Sequence, residues 1–100
     1  MITIDEVRKA YAATGLKPAI CGYVESQTME AHPLGAIITM RGLPVSGVYE
    51  YFGPAFVDDF NVGFYDLNPS LTYDEDAYEL GCTLRQAVLD GTLVEELVNA

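Results

Sequence analysis

Carboxylates are the reactive groups this chain holds in quantity. Seven of them (Asp58, Asp59, Asp66, Asp74, Glu75, Asp76 and Glu79) fall between Phe56 and Gly81, where no Lys or Arg stands. Closely spaced acids can hold a metal ion, share acid–base work across a substrate, or face a positively charged partner.

The metal reading meets resistance in the sequence. A calcium loop of the EF-hand type wants oxygen ligands at alternate positions, a glycine at the bend and a closing bidentate glutamate. From Asp66, the series Asn68, Ser70, Thr72 and Asp74 is a fair one, but Leu71 stands at the bend and Ala77 at the close. Pro69 also stiffens backbone that such a loop must curl. A start at Asp59 fails in the same two places, at Phe64 and Ser70. Transition metals need clustered His or Cys, and the chain has one His, His32, and two distant Cys, Cys21 and Cys82. No metal site and no cofactor are expected.

Catalysis has little more to stand on. Asp58/Asp59 or Asp74/Asp76 could supply a carboxylate pair, yet adjacent acids on a helix usually form a solvated face. His32 has no accompanying nucleophile motif; placed directly before Pro33, it reads as a helix cap or loop residue on the surface. The glycines fall singly, at expected turns and helix ends, and none builds a phosphate cradle. No catalytic residue is assigned.

The partner reading draws on the aromatic residues. Nine of the eleven lie between Tyr49 and Tyr78, interleaved with the acids. Phenylalanines at helical spacing belong in a core, whereas tyrosines off the apolar arcs suit a wet interface. The expected partner-binding residues are therefore Asp58, Asp59, Tyr65, Asp66, Asp74, Glu75, Asp76, Tyr78 and Glu79. The leading expectation is a small acidic interaction module, an inhibitor or regulator that docks on a basic protein surface, with nucleic-acid mimicry as one form. The alternative is a small enzyme or ligand-binding domain with a carboxylate pair in an aromatic-lined pocket near Phe60 and Tyr78. A homodimer is a third reading.

Charge supports this ranking. Fifteen acids against five bases give a net charge of −10. Residues 1–50 carry five acids and four bases, net −1, while residues 51–100 carry ten acids and Arg85 alone, net −9. Nucleic acid and anionic membranes should repel such a chain. One hundred residues, half of them apolar, fit one globular domain spanning 1–100. No apolar run approaches the ~20 residues of a membrane span. The start "MITIDEVRKAYAATG" lacks the pattern of a signal peptide, so the expectation is a cytoplasmic protein whose two cysteines are free, buried or half-buried thiols.

The elements that must position these groups read as mainly α: a compact bundle of four to five short helices with room for one small β-hairpin, and α+β as the alternative. Thr3 and Glu6 form a capping box, Ile2 and Val7 a staple, and Gly15 a stop, giving a helix at about 4–13. Ile20 to Glu25 suggests a strand weakened by Gly22. "HPLGAIITMRG" gives an almost wholly apolar, central helix starting at Pro33. "LPVSGVYEYFGP" is loop or short helix. Residues 56–66 fit helix or strand; Pro54 before two acids favours helix, with Phe56, Phe60, Gly63 and Phe64 inward and Asp58, Asp59 and Asn61 outside. A long helix at about 73–90 carries Asp74, Glu75 and Asp76 in its first turn. Its inner stripe is Tyr73, Ala77, Leu80, Leu84, Ala87 and Val88. Tyr78, Cys82, Arg85 and Leu89 make a second stripe on the opposite side, which must be buried by the fold or by a partner. Thr92 and Glu95 would cap a last helix at 93–99.

Overall fold

A computed structural model describes residues 2–68 and 74–94. Among them are five α-helices, a 3-10 turn and three two-residue strands. Helix α1 spans Ile4–Thr14; Thr3 Oγ1 accepts from Glu6 N at 3.1 Å, and Gly15, at φ 72°, closes it through its N–H to Tyr11 O. Both ends follow the sequence signals.

A small sheet follows, made of β1 (Lys17–Pro18), β2 (Val24–Glu25) and β3 (Glu30–Ala31) in the order β1-β3-β2. Strands β2 and β3 are the antiparallel hairpin, and β1 joins β3 in parallel. The extended run expected over Ile20 to Glu25 thus shrinks to its last two residues. The Tyr11 hydroxyl donates to Ala31 O at 2.7 Å, which fastens α1 to this sheet.

Helix α2 (Pro33–Met40) is the central element expected from its composition, with Pro33 through Ile38 all buried. It packs on α1. A Cβ built on Gly35 would lie 1.8 Å from Tyr23 O, so only glycine lets the bend before β2 come this close. After a 3-10 turn at Val45–Gly47 comes the short α3 (Val48–Phe52), ended by Gly53 at φ 93°. Helix α4 (Pro54–Phe64) resolves the ambiguity of its sequence in favour of helix.

Helix α5 spans Glu75–Asp90 and ends at Gly91. Asp74 is its N-cap rather than a first-turn residue, its side chain accepting from Ala77 N at 3.1 Å. The start expected at Tyr73 and the Glu95 half of the last capping box lie outside the described residues. Helices α4 and α5 make the most extensive helix–helix seam among the described residues. A Cβ on Gly63 would meet Tyr78 O at 2.3 Å, and one on Gly81 would meet Phe60 O at 2.2 Å. Two backbones touch where side chains would otherwise keep helices ~8–10 Å apart. Gly63 faces inward on its helix, as its wheel position implied, and both glycines sit inside helices as contact residues, a role that the spacing did not indicate.

The seam also corrects the second stripe of α5. Tyr78 and Cys82 lie against Gly63, and Arg85 Nη1 donates to Phe64 O at 3.0 Å. Cys82 and Arg85 thus meet α4 within the chain, Tyr78 meets it through its backbone carbonyl, and of the four only Leu89 stands exposed. Along the seam Asp59 meets Asp74, Gly63 meets Tyr78 and Phe64 meets Arg85, so the two helices run in the same general direction. No helix among the described residues is long and apolar enough to cross a membrane.

Candidate functional site

His32 is the one imidazole, and it is 0% exposed. It caps α2 as its position before Pro33 implied, with Nδ1 accepting from Leu34 N at 3.0 Å. Its expected place on the surface is wrong, because α4 closes over the cap. The rings of Tyr23, Phe60, Phe64 and Tyr65 surround it, with centroids at 4.6 to 5.6 Å. With Nδ1 accepting, the proton sits on Nε2 and is donated to Asn61 Oδ1 at 2.7 Å. Asn61 Nδ2 in turn donates to the Tyr23 hydroxyl at 3.1 Å. Burial pulls the His32 pKa down to about 4, against the opposing pull of the Asn61 bond. A neutral, enclosed ring with both nitrogens engaged holds helices together and presents nothing to a substrate.

The acids divide in a way the sequence did not indicate. Asp59, placed outside the helix by its wheel position, is 3% exposed. Its Oδ2 accepts from Asp74 N, tying α4 to the cap of α5. Asp58, one residue earlier, is exposed and lies beside Tyr49, whose phenol pKa rises through burial first and then through Tyr23 and Asp58. Asp66, Glu75, Asp76 and Glu79 are exposed, and Asp74 is half-buried at its cap. Two of the nine expected partner residues, Asp59 and Asp74, are thereby structural.

The two tyrosines of that set are both half-buried. Tyr65 is half-buried; its hydroxyl donates to Cys21 O at 2.6 Å, and burial pushes its pKa up to about 12. Tyr78 is half-buried beside Cys82. Both cysteines are free and half-buried. No three His, Cys, Asp or Glu side chains among the described residues gather as metal ligands would. The trial calcium loop from Asp66 lies partly outside those residues.

The exposed aromatic side chains stand elsewhere. Tyr49 and Tyr51, on α3, are 45% and 44% exposed. Met40 and Leu43, from the end of α2 and the turn after it, are exposed near them in the chain. Arg41 sets its guanidinium 5.7 Å from the centre of the Tyr51 ring, within cation–π range. Two clefts flank that ring. One, of about 360 Å³, is walled by Ile2, Phe52 and Phe56 and carries Glu6 and Arg41. The other, of about 410 Å³, is walled by Leu43 and Pro44 and carries Glu50. Neither is lined by a carboxylate pair, and neither lies at Phe60 and Tyr78, where the enzyme alternative would place its pocket. The signal for this surface was in the sequence: Met40, Arg41, Leu43, Tyr49 and Tyr51 include the residue types enriched at interfaces, but none was singled out as a binding residue.

No family model, curated protein or solved structure matches the chain.

Proposed function

We propose that this chain is a small acidic protein-interaction module that docks on a basic protein surface and acts there as an inhibitor or regulator in the cytoplasm. The observation that carries the reading is the exposed group Met40, Leu43, Tyr49 and Tyr51 beside Glu50 and Asp58, on a chain of net charge −10. Apolar and aromatic side chains supply desolvated contact, while the surrounding acids steer a cationic partner and repel anionic ones. Asp66, Glu75, Asp76 and Glu79 extend the field over the carboxyl-terminal half. Carboxylates in place of phosphates would let the module compete with nucleic acid for the same basic groups.

Affinity capture from native extract tests this. Wild type is compared with a variant combining Asp58→Asn, Glu75→Gln, Asp76→Asn and Glu79→Gln, which spares the structural Asp59 and Asp74. A basic protein should be retained by wild type at low salt, released by ~0.5 M salt, and lost from the folded variant. Retention that ignores both salt and these four charges would overturn the reading.

A further inference from the structure

We propose that the two clefts beside Tyr51 seat two long side chains of a single basic, amphipathic segment of the partner, and that Arg41 holds the place of the partner's cation on the Tyr51 ring. This rests on the interaction reading above and specifies its contact.

The chemistry of each cleft defines what it can take. Ile2, Phe52 and Phe56 make one apolar wall, Leu43 and Pro44 the other, and each cleft carries one carboxylate, Glu6 or Glu50. Both volumes, about 360 and 410 Å³, are large enough for a long side chain. A purely apolar occupant would strip water from the glutamate and return nothing. An acidic one would be repelled by Glu50 in the second cleft and, in the first, would meet Glu6 beside Arg41. A lysine or arginine satisfies both features, burying its methylene stem against the wall and bringing its charge to the carboxylate. Since Tyr51 lines both clefts, two side chains on one face of one segment reach them together.

Arg41 shows how the ring receives a cation. Arg8 donates to Leu93 O, Arg85 to Phe64 O, and Lys9 pairs with Asp5 at 3.1 Å. Arg41 instead lies on an exposed ring at the mouth of the first cleft. An exposed cation–π contact is weak enough for an incoming arginine to displace. A second copy of the chain is the poorer occupant, because two bodies of charge −10 repel each other.

Nuclear magnetic resonance on the 15N-labelled full chain tests the assignment at low salt, with an acetylated, amidated hexapeptide of alternating arginine and leucine. The expected result is saturable shifts centred on Leu43, Tyr51 and Phe52, lost in Tyr51→Ala and tightened about 2- to 5-fold in Arg41→Gln as the competing cation goes. The alternating glutamate–leucine peptide should leave the spectrum unchanged. Saturable shifts centred on Asp66 and Glu75–Glu79, indifferent to Tyr51→Ala, would overturn the clefts while leaving the acidic docking reading standing. Absence of binding to any basic peptide would overturn both. Shifts at Tyr51 that follow protein concentration alone would assign the surface to a second copy, also against the proposal.

Discussion

The phenylalanines of α4 and the tyrosines of α3 are close in sequence, yet the fold treats them in opposite ways. Phe56, Phe60 and Phe64 stack along α4 with successive centroids 5.9 Å apart, and the last two are fully buried. Phe60 and Phe64 close over His32, while α5 meets α4 at Gly63 and Gly81. Tyr49 and Tyr51, a few residues earlier, stand on a short helix that leaves them nearly half exposed. The seam is tight because backbone touches backbone there, and the α3 surface is open because no element covers it among the described residues. Aromatic content is the same kind of material in both; what differs is whether a second helix arrives. One region should therefore resist every change of shape, and the other should accept changes that cost only binding.

The largest expected effect breaks the seam. Gly63→Ala and Gly81→Ala each place a methyl group less than 2.5 Å from a backbone carbonyl. Helix–helix separation must then grow or a carbonyl must move, and each variant should lose at least ~3 kcal/mol of unfolding free energy or fail to fold. Gly47→Ala, before α3, meets nothing within 4 Å and has φ of −90°; it should stay within ~1 kcal/mol of wild type. Urea denaturation of the three variants makes the comparison. Equal midpoints would mean that the seam has slack.

Next in size is the pH response of the interior. An unfolded histidine titrates near ~6.5, and His32 in the fold near about 4. Above pH ~6.5 the ring is neutral in both states, and its contribution is fully present. As pH falls from there toward about 4, the unfolded chain takes up the proton first, and stability drops by about 3 kcal/mol in all. Carboxylates titrate in part of the same range, so the comparison is with His32→Asn, which keeps an oxygen to cap α2. A uniform offset of the variant at neutral pH leaves the test intact: the extra slope between pH ~6.5 and about 4 should disappear. Parallel curves for the two proteins would mean that His32 takes up its proton in the fold.

These two regions also mark what could be read in advance. Helix ends were legible wherever a local bond makes them: Thr3 with Glu6, Gly15, His32 before Pro33, and Gly91. The preference of residues 56–66 for helix rested on Pro54, and the structure agrees. What could not be read was the direction from which a neighbour arrives. A helical wheel separates Asp58 from Asp59 by one step and places both outside, but only Asp59 faces the approaching start of α5. The cap role of His32 is local, whereas its burial depends on α4. The glycine contacts and the packing of Cys82 against α4 are likewise properties of pairs of helices, for which a single chain carries no spacing rule. The α3 surface was missed for the converse reason, since exposure is the absence of a neighbour.

The smallest effect divides the two regions at one pair of residues. Asp58 faces Tyr49 and solvent; Asp59 faces the seam and accepts from Asp74 N. Replacing either by Ala gains a few tenths of a kcal/mol of helix propensity and removes one negative charge from a chain of net charge −10. Those gains are common to both variants. Only Asp59→Ala also leaves a half-buried backbone N–H without its acceptor, at a cost of ~1–3 kcal/mol, more when the lost partner was charged. Asp58→Ala gives up only an exposed contact with the Tyr49 hydroxyl and should stay close to neutral, and the two variants should differ by about 1–2 kcal/mol in unfolding free energy. Asp59→Asn should recover most of that difference, since the amide oxygen can still accept from Asp74 N. If Asp58→Ala and Asp59→Ala unfold at the same urea concentration, the bond to the α5 cap contributes nothing, and the two acids would again be one surface, as their adjacency in sequence first implied.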